Sequence, residues 1–355
     1  IIGIELRQRV RSVAWYVLLG VFVVVLLAVT TLSFAAFSFS NDGNQWFFSI
    51  VIMLVLLLTL LVSPTLSGSA VNGDRDSATL APVQVTLVTT TEIVVGKFLA
   101  AWVSGLAFLV VALPFLVVAT LAGALNPGVI VSSLGILVLE VGIVAAVGVG
   151  LSAIVARPLF SVASTYLVIA ALTIGTLIAF GLGGMALRSE QRQMSYDLDW
   201  ASVPVGCDPF SPSANPEACP SADEIECVES SWTSEVPRFD RVWWILAANP
   251  FVVLADATPP TFDENGYPRD LFSQIASGVR SAQIAPEEMP VYNGCAPYQQ
   301  QQQVRESPED VADRTSPSWF VGLLVQLLLA TGLMAWGIAR TRTPAKRLPP
   351  GTRIA

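Results

Sequence analysis

The chain has 355 residues, 53% of them hydrophobic and 13% charged, where a soluble domain carries about 25% charged residues, so water is not its main solvent. Nineteen basic residues stand against 27 acidic ones, a net charge of −8, and there is no histidine, which excludes a Ser-His-Asp triad. The first residue is Ile rather than Met, which implies that a few residues precede it.

Arg7, Arg9 and Arg11 lead into an uncharged run from Val13 to Phe39. It is too long for the core of a cleavable signal peptide and exceeds the roughly 20 residues that cross a bilayer as a helix, so it is the first span. The second is Trp46 to Leu66. Beyond it, Asp74, Arg75 and Asp76 precede Thr79, Leu80, Val83 and Leu87, the last three at helical spacing. This predicts a short amphipathic helix within residues 72–90, lying along the membrane, which Pro82 would end or kink near Ala81. Thr89 stands three residues before Glu92, the arrangement of a capping box, in which each side chain satisfies an N–H of the other residue. A third span, Ile93 to Ala122, therefore starts sharply there, with Gly96 and Lys97 near its beginning and the Lys97 ammonium placed to snorkel to the interface.

Val129 to Val155 is the fourth span and contains Glu140 near its middle. A carboxylate there costs roughly 2.5–3.5 kcal/mol on insertion scales, so it must face protein or water rather than lipid. Two roles are open: lining a route or subunit seam, or a hydrogen bond to a neighbour such as Ser132, Ser133, Thr173 or Thr176. Gly142, Ala145, Gly148, Gly150 and Ser152 on the same helix permit close helix contact. Val162 to Leu187 is the fifth span.

Residues 188–318 then form a long loop, rich in Pro, Ser, Asp and Glu, with five glutamines at 299–303. All four cysteines, Cys207, Cys219, Cys227 and Cys295, lie in it. An even set confined to one loop reads as two disulfides with three possible pairings in an oxidising compartment. A zinc site is the rival, but no Cys-x-x-Cys pair occurs. Within the loop, residues 242–257 are almost wholly apolar, open with Trp243 and Trp244 and break at Asn249-Pro250. At about 14 apolar residues the segment is too short to span; it reads as interfacial or re-entrant, with the buried core of a soluble cap as the alternative. Trp319 to Ala339 is the sixth span, followed by a basic tail at 340–355.

An even number of spans puts both termini on one side. Arg7, Arg9 and Arg11 at one end, and Arg340, Arg342, Lys346, Arg347 and Arg353 at the other, make that side cytoplasmic by the positive-inside rule. Arg75, Lys97 and Arg157 fall on the same side, and the links at 40–45 and 123–128 contain no Lys or Arg. The long loop is then extracytoplasmic, with 8 basic residues against 21 acidic ones, a net of −13. The fold expected is all-α and polytopic, six transmembrane helices with a disulfide-stapled cap between spans five and six.

The runs Asp74-Arg-Asp-Ser-Ala-Thr-Leu80 and Thr91-Glu-Ile-Val-Val-Gly-Lys-Phe-Leu-Ala-Ala101 resemble the signature of ABC type-2 transporter permeases. Gly3 to Ser12 is similar to that family's amphipathic elbow helix, and Gly148 to Arg157 to its small-residue turn into the fifth span. The resemblance covers nearly all of the membrane part and none of the cap, which is unusually long for the family. It implies that residues 72–90 are a coupling helix seated in a separate ATPase, with Asp74, Arg75, Asp76 and Thr79 as polar contacts and Leu80 and Val83 as an apolar anchor. It also implies a bacterial inner-membrane location, ABC ATPase subunits carrying ATP and Mg, a second permease subunit (identical or not) and membrane lipids as partners, and no nucleic acid.

No Gly-x-x-x-x-Gly-Lys-Ser/Thr loop is present, since Gly96-Lys97 is followed by Phe98 inside an apolar run. The chain is thus not an enzyme by itself and binds no cofactor of its own. The expected function is export of a hydrophobic or amphipathic compound. The alternatives are a non-transporting complex that passes ATP-driven motion to the cap, and a secondary transporter, which would show an inverted repeat or buried charge set that the sequence lacks.

Overall fold

The structure is a computed structural model that describes residues 2–37, 43–76, 89–123, 126–199, 201–204, 207, 225–287, 289–295 and 306–341. In chain order its elements are α1 (Ile2–Val10), α2 (Val13–Phe37), α3 (Gly43–Ser67), α4 (Asn72–Asp76), α5 (Thr90–Gly123), α6 (Pro127–Ile154) and α7 (Pro158–Ala186). These are followed by β1 (Arg188–Leu198), β2 (Cys227–Pro237), α8 (Trp243–Ala247), α9 (Pro250–Asp256), α10 (Leu271–Ser281), β3 (Val291–Asn293), α11 (Pro308–Arg314) and α12 (Trp319–Thr341).

Six helices, α2, α3, α5, α6, α7 and α12, are long and apolar enough to cross a bilayer, so the chain is a multi-pass membrane protein. Their bounds agree with the sequence-based spans to within a few residues. The fourth span occupies the centre: 72% of an apolar 18-residue stretch of α6 is buried within the chain, against 17% of the corresponding stretches of α2 and α7. Asn126 starts α6 by accepting a hydrogen bond from Gly128 N, with Pro127 in the first turn, where a missing N–H costs nothing.

Small residues set how closely α12 lies along α6. A Cβ added to Gly150 would stand 2.9 Å from the Leu333 backbone, and one added to Gly337 would stand 2.8 Å from the Ala153 Cβ. Only glycine allows that approach. Elsewhere the bundle is joined by ring contacts, with Trp15 and Phe22 of α2 each meeting Phe108 of α5 edge-on at 5.2 Å between centroids.

The expectation of an all-α fold is corrected by the loop between spans five and six. β1 pairs antiparallel with β2, from Arg188↔Pro237 to Leu198↔Cys227, and parallel with β3, giving the order β2-β1-β3. Polar composition concealed these strands: Arg188–Leu198 holds few apolar residues, and Cys227–Pro237 is mostly exposed. Of the two disulfides expected, Cys227–Cys295 is formed, with 6.2 Å between Cα atoms, and it joins the first residue of β2 to the turn that follows β3. Cys207 is also disulfide-bonded; Cys219 and the glutamine run lie outside the described residues.

Residues 242–257 form a broken helical hairpin. Asn249 ends α8 and caps α9, accepting from Phe251 N at 3.0 Å, and Pro250 occupies the first turn of α9. Val252–Asp256 are buried, with α9 packed against α10, α12 and α6. The segment therefore rests on two spans as well as on the cap. A Cβ on Gly322 of α12 would come within 2.0 Å of the Ala247 carbonyl oxygen, so α12 also passes directly against the end of α8.

Asp256 holds this junction together. It is fully buried, accepts from Arg280 Nε at 2.7 Å, and caps the start of α12 through Ser318 N, Ser318 Oγ at 2.9 Å and Trp319 N at 3.1 Å. Arg280 also donates to the Ala312 carbonyl at 3.2 Å. One carboxylate thus ties α9, α10 and the sixth span together.

Candidate functional site

Three constellations carry the polar chemistry of the helical bundle. The first begins where the chain leaves α3. Ser152 Oγ of α6 accepts from Val71 N at 2.9 Å and Asn72 N at 3.2 Å, and donates to Asn72 Oδ1 at 3.1 Å. Asn72 Nδ2 in turn donates to the Val155 carbonyl at 3.1 Å. Every polar atom of the buried Asn72 side chain is thereby used, and α4 is fixed to the end of α6.

That placement brings Asp74 of α4 to Lys97 of α5, with 2.5 Å between Asp74 Oδ2 and Lys97 Nζ. Glu5 Oε1 of α1 also lies 2.5 Å from the same ammonium. The Lys97 side chain is 3% exposed, so its ammonium is enclosed by protein groups. The cause lies in sequence-distant carboxylates: two anions within contact distance make burial of the cation tolerable where lipid would not. Lys97 thus joins the N-terminal helix, the segment after the second span and the third span.

At the start of α5 the expected capping box is present. Glu92 Oε2 accepts from Thr89 N at 2.7 Å and Thr89 Oγ1 at 2.9 Å, and Glu92 N donates to Thr89 Oγ1 at 3.3 Å. Gly96 is buried beside Lys97. Arg75 and Asp76 fall in α4; Thr79, Leu80, Pro82 and Val83 lie outside the described residues.

The second constellation is Glu140, 1% exposed in α6, with neither carboxyl oxygen hydrogen-bonded. None of the hydroxyls considered from sequence serves it. Ser132, Ser133, Thr173 and Thr176 donate instead to carbonyls three or four residues earlier in their own helices, the ordinary local solution for a hydroxyl in a helix. Its polar neighbour is Gln326 of α12, also fully buried, whose Nε2 donates to the Ala248 carbonyl at 3.1 Å and whose Oε1 has no partner.

The third is an apolar cavity of about 550 Å³ between α3, α7, α9 and α10, lined by Leu57, Leu61, Tyr166, Thr173, Asn249 and Phe251 among others. Along it α7 winds into a π turn at Ala171–Gly175. Asn249 Nδ2 donates there to the Thr173 carbonyl at 2.7 Å and to Thr176 Oγ1 at 3.0 Å. Tyr166 Oη donates to the Leu61 carbonyl at 2.7 Å, closing the contact between α3 and α7 on one side. An asparagine of the loop hairpin is therefore plugged into the irregular turn of the fifth span.

No family model matches this chain, and no curated protein matches it.

Of the residues singled out from sequence, the fold brings together Asp74, Gly96 and Lys97, sets Glu92 at the head of the same helix, and leaves Glu140 alone in the seam between α6 and α12. Sequence reasoning missed Glu5, Gln326, Asn249 and Asp256. A signal existed for Gln326, the one glutamine in an apolar span, and for Asn249, which precedes a proline within an apolar run. None existed for the pairing of Glu5 with Lys97, 92 residues apart.

Proposed function

We propose that this chain is the permease subunit of an ATP-driven exporter of the ABC type-2 class, with both termini cytoplasmic in a bacterial inner membrane. The observation that carries the reading is the buried Lys97. It binds Glu5 on the N-terminal helix and Asp74 at the head of the 72–90 segment, so a push on that segment reaches the N-terminal helix and the third span together. That is what a separate ATPase needs if its closure is to move the bundle. Six spans and the resemblance at 74–80 and 91–101 agree with this assignment.

On this reading Asp74 is held inside the permease, leaving Arg75, Asp76, Thr79, Leu80 and Val83 to meet the ATPase. The cargo is a hydrophobic or amphipathic compound, and ATP and Mg belong to the partner. A second permease completes the route. Co-purification in mild detergent, followed by mass spectrometry and an ATPase assay, tests it: an associated, hydrolytically active nucleotide-binding subunit is expected, and an ATPase-free oligomer in every detergent overturns it. In the intact complex, replacing Arg75 and Leu80 together is expected to uncouple hydrolysis from export.

A second reading has its own support. Asp256 links the cap helices α9 and α10 to the first turn of α12, so motion of the sixth span is passed to the cap. A complex that signals through its cap would lose all output on deletion of Cys207 to Cys295, whereas a conduit would retain basal transport.

A further inference from the structure

Glu140 and Gln326 present three buried oxygens without a hydrogen-bond partner, Glu140 Oε1 and Oε2 and Gln326 Oε1, on two helices that glycines bring into close contact. Gln326 Nε2 spends one of its two N–H groups on the Ala248 carbonyl, which leaves one neutral donor for the cluster. What the cluster lacks is a counter-charge. A buried acceptor without a donor costs about 1–3 kcal/mol, and a carboxylate without a counter-ion in an apolar interior costs far more.

No cation is available to neutralise the group. Among the described residues of the helices packed against α6, α3 and α7 carry no charge. In α5, Lys97 is bound by Glu5 and Asp74, and Glu92 is bound by Thr89. In α9, Asp256 is bound by Arg280, and in α12 Arg340 is exposed at the far end. Each of these charges is thus engaged elsewhere or lies at a helix end, and the side chain that meets Glu140 is the neutral Gln326.

We propose that Glu140 is a proton-binding site inside the bundle, held as the neutral carboxylic acid, with its hydroxyl donating to Gln326 Oε1. One proton removes the charge and turns one carboxyl oxygen into a donor in a single step. The chain Glu140–Gln326–Ala248 then runs from the fourth span through the sixth to the loop hairpin. Release of that proton requires water to reach the carboxyl, which in turn requires α6 and α12 to part. The site therefore binds a proton when the seam is closed and gives it up when the seam opens. This inference stands on the seam alone and does not depend on an ATPase partner.

Infrared spectroscopy of the full chain in nanodiscs at pH 7 tests it. The wild-type spectrum is expected to contain a carboxylic acid carbonyl band that shifts in D2O and disappears in Glu140→Gln. In Gln326→Leu, which keeps the acid but removes its acceptor, the band is expected to move to the higher frequency of a free carboxyl. Absence of a Glu140-dependent acid band, or a carboxylate band in its place, would overturn the proposal. So would an acid band that Gln326→Leu leaves unmoved. The second variant keeps the test decisive if Glu140→Gln does not fold.

Discussion

Lys97 and Glu140 are both ionisable, both buried among spans, and treated by the fold in opposite ways. Lys97 sits near the start of α5 with a carboxylate on each side, drawn from α1 and α4. Glu140 sits mid-helix with no counter-charge and one amide for company. The difference teaches where charge can be kept in such a bundle. Close to the helix ends, separate segments of the chain can converge on an ion and surround it. In mid-span, the described side chains of the helices packed around α6 offer such a group no free counter-ion.

Substitution separates the two sites. Lys97→Met should have the largest effect, about 3–5 kcal/mol of lost stability, because two carboxylates are left facing each other without their cation. Thermal unfolding in nanodiscs measures it, and a loss near zero would mean that the triad is not the joint it is taken to be. Asp256→Asn extends the paired case to the cap: Arg280 loses its anion, at a cost of about 3 kcal/mol, and protease nicking should appear ahead of α12 before global unfolding. Removing the unpaired acid should do less. Glu140→Leu is expected to cost about 1–2 kcal/mol, the worth of one donor withdrawn from a buried acceptor. Equal losses at Lys97 and Glu140 would erase the distinction between the two sites.

The smallest effects are those of pH on the cap. Hydrogen bonds from Arg238 hold Asp240 below the usual aspartate range, so the folded cap binds that proton more weakly than the unfolded chain. The stability it lends is present above about pH 4 and falls away as pH drops through its lowered value. Asp270 behaves in the reverse sense: burial pushes it up despite its bonds to Ser273 and Thr261. Its contribution is greatest in acid and is lost as pH rises from about 4. Asp240→Asn should therefore flatten the acid limb of a melting-temperature profile, while Asp270→Asn, which keeps an acceptor for Ser273 N, should raise stability at neutral pH.

What the sequence disclosed follows from the range of the interactions involved. The spans were legible because an uncharged run of bilayer length has few other uses, and the Thr89–Glu92 cap because its partners lie three residues apart. The hydroxyl partners considered for Glu140 were not its partners, since serines and threonines in a helix satisfy themselves on the preceding turn before any neighbour arrives. Read from its own helix alone, Lys97 is a side chain that reaches for the interface. Its burial depends on Glu5 and Asp74, which topology alone brings near. The sheet was hidden for a related reason: in a polar, largely exposed ribbon the strands leave little alternation of apolar residues to read.

The π turn at Ala171–Gly175 has a consequence for the whole fifth span. A π turn accommodates one residue more than a regular turn, and each residue of an α-helix advances by about 100°. Tyr166, Ile169, Thr173 and Leu177 line the cavity on both sides of this turn, so the turn is where the helix can change phase, and with it the side that each half shows to its surroundings. Asn249, by holding the freed Thr173 carbonyl, stands where that change of phase is kept or surrendered. Were its grip released and the turn rewound, the upper and lower halves of the span would rotate against each other like two dials on one shaft.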